Sequence, residues 1–145
     1  EALATCFPSS LRVLNLSFEG CQHITDAGIQ ALVKGFPQGL QELSLDFVGC
    51  RHVSDRGLEA IATSVPEGLL QLNLHLATCP LITKHGVSVL SSCLPKKLMQ
   101  CQTSFQGTQV NRKFDTVGAL KSYTGKGKEP FKDSLRDFFM DDRTK

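Results

Sequence analysis

The chain says nearly the same thing three times at one fixed interval, and that interval governs what it can fold into. CQHITDAGIQALVKGFP at 21–37 returns as CRHVSDRGLEAIATSVP at 50–66 and as CPLITKHGVSVLSSCLP at 79–95. Ahead of each lies a stretch opening on leucine: LRVLNLSF from Leu11, LQELSLDF from Leu40 and LLQLNLHL from Leu69, with a weaker LMQCQTSF from Leu98. The interval is 29 residues each time. A unit this short cannot bury its own apolar face, so the units must stack and share one continuous core.

Within each unit the hydrophobic period changes. Leu14, Leu16 and Phe18 alternate, as do Leu43, Leu45, Phe47 and then Leu72, Leu74, Leu76. Period two marks a strand with one buried face. The second half of the unit follows a helical stripe: Ile24, Gly28, Ile29, Leu32, Val33 and Phe36; then Val53, Leu58, Ile61, Ala62 and Val65; then Ile82, Val87, Leu90 and Leu94. Thr25, Ser54 and Thr83 stand where an N-cap is needed. Asp26 and Asp55 put negative charge at the positive end of their helices. Lys84 breaks that rule, so the third helix is expected to start less firmly. Pro37, Pro66 and Pro95 close the units, because proline cannot continue a helix.

The expected organisation is therefore the end of a preceding partial repeat at 1–10, repeats at 11–39, 40–68 and 69–97, and a degenerate fourth at 98–124, whose helix lies in FDTVGALKSY. EALATCFP reads as the end of an earlier repeat, so a processed form or a piece of a longer chain is expected. GKGKEP opens the segment 125–145, read as a hinge followed by an amphipathic helix carrying Phe131, Leu135, Phe138 and Phe139. That helix is expected to cap the array, or else to form a tail that docks elsewhere. GKGKEP lacks the order of a phosphate loop.

Cys21, Cys50 and Cys79 hold equivalent places and invite a metal reading. A column is linear, whereas zinc takes four ligands in a tetrahedron. No CxxC pair occurs, and where His23 and His52 follow their cysteines the third unit has Leu81. The column reads instead as small, soft side chains buried in the turn before each helix. Cys6 and Cys93 fall near helix ends and Cys101 replaces a core leucine, so packing is their expected role too. The thiols read as reduced and the protein as intracellular, cytoplasmic or nuclear.

If the leucines point inward, the residues between them face out on the concave side. These are Val13, Asn15 and Ser17; Glu42, Ser44 and Asp46; Gln71, Asn73 and His75; and Gln100, Gln102 and Ser104. They vary from unit to unit while the inward residues do not, the pattern of a scaffold with an adjustable surface. Glu42, Asp46 and His75 are the ionisable groups among them, suited to a protein partner offering basic or hydroxyl groups. A net charge of +2 argues against nucleic acid or an acidic membrane, and no apolar run approaches the ~20 residues a spanning helix needs. No cofactor, metal or catalytic residue is expected. The protein reads as a monomer or as part of a larger chain.

The LxxLxL strands at this period resemble the leucine-rich repeats, and CxxITDxG before an apolar helix resembles their cysteine-containing subtype, common in F-box proteins. Phe18-Glu19-Gly20 and Phe47-Val48-Gly49 make the connection from strand to cysteine longer than is usual there. The resemblance covers residues 1 to about 105 and implies an α/β solenoid, with parallel strands on the concave face and helices on the convex face. It also implies non-catalytic protein–protein recognition, with substrate recognition in a ubiquitin ligase as the specific role. The alternative is a structural or regulatory segment of a larger multidomain protein.

Overall fold

A computed structural model describes residues 7–123. Cys6, the hinge and the C-terminal helix expected from sequence lie outside the described residues. Strands β1 (Val13–Ser17), β2 (Glu42–Asp46), β3 (Gln71–His75) and β4 (Gln100–Ser104) alternate with helices α1 (Asp26–Val33), α2 (Asp55–Ser64) and α3 (Lys84–Cys93). They are followed by β5 (Lys113–Phe114) and α4 (Val117–Tyr123). The sheet order is β1-β2-β3-β4-β5, with β1 to β4 parallel. Helices pack on one face, α1 against α2 against α3 against α4.

The register follows the repeat residue for residue. Leu14 lies beside Leu43, Leu43 beside Leu72 and Leu72 beside Cys101. Leu43, Leu45, Leu72 and Leu74 are almost wholly buried, as are Val53, Leu58, Ile61, Ile82, Val87 and Leu90 from the helical side. Each such leucine contributes enough that truncation to alanine costs about 2–5 kcal/mol.

The turns between elements repeat as faithfully. Every P-x-x-L segment closes on itself, with Leu11, Leu40, Leu69 and Leu98 N–H donating to the carbonyls of Pro8, Pro37, Pro66 and Pro95. Beyond the strands the ladder runs on into the lengthened connections. Phe18 and Gly20 N–H donate to Asp46 and Val48 carbonyls, Phe47 and Gly49 to His75 and Ala77, and Leu76 and Thr78 to Ser104 and Gln106. The extra residues are thus part of the sheet's bonding, not slack. The turn requires left-handed backbone at its third residue: Gly20, Gly49 and Gly107 have φ of 73°, 78° and 74°, and Thr78 holds the same place at 58°. The Phe18 and Phe47 rings stack at 5.4 Å beneath it.

Two expectations need correction. Cys50 and Cys79 are fully buried, but Cys21 is exposed, because among the described residues no unit covers the outer side of β1. At the third helix, α3, the first turn carries no acid of its own, and the carboxylate at its N-terminus comes from the unit before it. The fourth unit does not run straight into a helix from Phe114. Lys113 and Phe114 instead turn back as β5, antiparallel to β4, and the helix begins at Val117, capped by Thr116. Phe114 then packs edge-on against Phe105 and tilted against Tyr123, while Arg112 lies over both the Phe114 and Tyr123 rings and Lys84 over Tyr123.

Candidate binding face

The twelve outward residues form three columns across the parallel strands. Val13, Glu42, Gln71 and Gln100 make one; Asn15, Ser44, Asn73 and Gln102 the second; Ser17, Asp46, His75 and Ser104 the third. Neighbours within a column are one strand apart, ~4.8 Å. On β1 all three are exposed, as are Gln100 and Gln102 on β4, while the six on β2 and β3 are half-buried by their neighbours. Ser104 departs from the expected surface. It is buried, because β5 crosses beside it.

That crossing adds a group the sequence did not announce. Lys113 pairs with Ser104, and Phe114 with the inward Thr103, so Lys113 is exposed on the outward face. Acidic groups thus sit on β2, His75 on β3 and a cation on β5. A two-residue strand paired only through tertiary contact leaves no periodic trace in sequence. Asp46 is the best fixed of the ionisable groups. Its carboxylate accepts from Val48 N–H at 2.9 Å, so one oxygen is held and the side chain is aimed before any partner arrives. The middle column is made of amides and a hydroxyl, which offer both donors and acceptors to a partner's backbone.

The cysteines serve the turns. Cys50 Sγ donates to Phe18 carbonyl and Cys79 Sγ to Phe47 carbonyl, both at 3.1 Å, so each thiol pins its turn to the unit before. Burial pushes the Cys50 thiol up and carries Cys79 and Cys101 to about 11, well away from nucleophilic range. In the fourth unit the equivalent place is held by Thr108, whose hydroxyl donates to Phe105 carbonyl at 2.5 Å. Among the described residues no three His, Cys, Asp or Glu side chains gather as metal ligands. His23 and His52 are exposed in the turns.

The aspartates also act across units. Asp26 accepts from Ser54 N–H at 2.8 Å, from the Ser54 hydroxyl and from Gly57 N–H at 3.1 Å. Asp55 accepts from Thr83 N–H at 2.8 Å and from the Thr83 hydroxyl. Each carboxylate therefore caps the helix of the following unit. The conjunction of Asp after the cap residue and Gly two residues later was the available signal: a Cβ at Gly57 would lie 2.7 Å from Asp26 Oδ1.

On the convex side an open groove of about 510 Å³ runs between α1 and α2, with Gln30, Lys34, Arg56 and Glu59 along it. No helix among the described residues is long and apolar enough to cross a membrane. A family model described as Leucine Rich repeat matches residues 8–33 and 43–62. No curated protein and no solved structure matches the chain.

Proposed function

We propose, from the premise that the chain is a leucine-rich-repeat solenoid, that its concave sheet face is the surface on which it binds a protein partner. Leucine-rich repeats in general mediate protein–protein contact and are non-catalytic. The observation that carries the reading is the set of three columns in strict register. Their residues vary while the leucines behind them hold the backbone still. Such a surface is preorganised, so binding need not meet the cost of ordering it. Glu42, Asp46 and His75 favour a partner bearing basic or hydroxyl groups. The specific role we propose is substrate recognition within a ubiquitin ligase, by its resemblance to the cysteine-containing repeats of F-box proteins.

The test is affinity capture from lysate with bound proteins identified by mass, beside a variant carrying Glu42→Lys, Asp46→Lys and His75→Ala. Asp46 also holds Val48 N–H, so circular dichroism must first show both proteins equally folded. A partner held by the parent and lost by the variant supports the concave face, and ligase subunits in the capture support the specific role. Partners retained equally by both refute the face.

A further inference from the structure

The concave face carries its charges in order. Asp46 on β2, His75 on β3 and Ser104 on β4 are paired residue to residue in one column, and Lys113 on β5 pairs with Ser104. The column starts at a carboxylate, passes an imidazole and a hydroxyl, and ends at an ammonium. Its two ends cannot satisfy each other. Three strand spacings separate them, roughly 14 Å, which exceeds the Debye length of about 8 Å at physiological salt. The fold sets both ends in place. Asp46 accepts from Val48 N–H at 2.9 Å, which fixes its side chain. Beside Lys113, Phe114 is buried against Phe105 on the inward side, so the alternation of the strand turns Lys113 outward. The column next to this one, with Ser44, Asn73 and Gln102, carries both donors and acceptors and no charge.

We propose that this column binds an extended segment of a partner protein, with a basic residue over Asp46 and an acidic residue over Lys113. The proposal rests on the concave face being the binding surface and names what that face reads. An extended chain advances about 3.3–3.4 Å per residue, so roughly 14 Å corresponds to about four residues. Its side chains alternate, so residues two and four positions apart face the same way. The base, the residue midway and the acid therefore all meet the sheet, the middle one near His75 and Ser104. The backbone of such a segment has N–H and C=O groups still to pair, which the neighbouring amides can meet, whereas a helix has paired its own. A uniformly basic or uniformly acidic segment meets repulsion at one end of the column, so the order of charges also rejects partners.

The experiment is selection of displayed short random peptides on the full chain, repeated on Lys113→Glu and Asp46→Asn, each matched in fold to the parent by circular dichroism. Parent-selected peptides should be enriched in a base and an acid about four residues apart. Selection on Lys113→Glu should replace the acid by a base and leave the other base in place. If Lys113→Glu is less folded, Lys113→Gln takes its place and should erase the preference for the acid. Asp46→Asn keeps an acceptor for Val48 N–H and should remove only the preference for the base. A parent-selected peptide should bind Lys113→Glu about threefold or more weakly at low salt, and the difference should vanish near 1 M salt. Gln102→Trp, at an exposed position of the uncharged column, separates this proposal from the reading beneath it. Peptides that Gln102→Trp displaces, but that lack the charge pair or keep it unchanged on Lys113→Glu, overturn the charge order and leave the concave face standing. No enrichment at all overturns the extended segment. Peptides that bind Gln102→Trp as well as they bind the parent overturn the concave face too.

Discussion

The carboxylate that crosses from one unit to cap the next helix can be tested by a double-mutant cycle at Asp55 and Gly86. Asp55 accepts from Thr83 N–H at 2.8 Å and from the Thr83 hydroxyl. Hydrogen bonds to a charged group contribute about 1.5–3 kcal/mol each, but Thr83 keeps its own capping bond to His85 N–H at 3.2 Å. Asp55→Ala should therefore cost about 2 kcal/mol. In Gly86→Ala the new Cβ would lie 2.8 Å from the Asp55 carboxyl carbon, which must move off its donors. That loss outweighs the gain of about 0.5–1 kcal/mol from replacing glycine in a helix, so the single variant should also be destabilised, by about 1–2 kcal/mol. With the carboxylate removed, the obstacle is gone. Gly86→Ala in the Asp55→Ala background should then stabilise by about 0.5–1 kcal/mol, a coupling of about 2 kcal/mol between the two residues. Urea unfolding followed by circular dichroism reads this directly. With m near 2 kcal/mol/M, a loss of about 2 kcal/mol moves the midpoint by about 1 M. A Gly86→Ala effect of the same sign and size in both backgrounds would refute the account of the capping carboxylate.

Other perturbations follow from the same geometry. Thr78→Gly should stabilise by about 0.5–1 kcal/mol and raise Tm by a few degrees, because a β-branched residue at φ 58° carries a steric cost that glycine does not; an unchanged or lower Tm counts against it. Thr103 Oγ1 is buried without a hydrogen-bond partner, so Thr103→Val should stabilise by about 1 kcal/mol in the same urea assay. Burial holds Cys79 and Cys101 protonated to about pH 11, while the unfolded chain loses those protons from about pH 8.5. The raised folded value means that their stabilisation is complete below about pH 8.5 and is lost as pH rises toward 11, by about 3 kcal/mol per thiol. The urea midpoint of Cys101→Ala should therefore fall less steeply over that range than that of the parent; parallel curves would refute this.

The fold was legible because its cause is periodic. Leucines at fixed spacing must face one way, and a chain that repeats them in register leaves no other sheet to build. The N-cap threonines and serine and the P-x-x-L turns were legible for the same reason, being local and repeated. What escaped was non-local. Asp26 and Asp55 were read as serving their own helices, since sequence shows a charge beside a helix start but not the start of the neighbouring helix within its reach. Cys21 was expected to be buried like its equivalents, although burial depends on a neighbour and not on the residue. β5 has two residues and no alternation, so neither it nor Lys113's place on the outward face could be foreseen. Of the concave face, the register was predictable from the repeat, and the burial of Ser104 was not.

The cross-unit carboxylate also ties the start of each helix to the integrity of its neighbour. Each helix cap is held by the unit before it, never by the unit after. Opening of the unit from Leu11 withdraws Asp26 from Ser54 and Gly57, so the next helix loses its cap at the moment its neighbour leaves. Opening from the other end releases Asp55 from Thr83 but takes no cap from α2. The junction energy is shared, so loss of either unit removes the same stabilisation from its neighbour, but only loss of the unit ahead leaves a helix start without its carboxylate. Amide exchange would show this as faster exchange in the first turns of α2 and α3 when the unit ahead of each is destabilised.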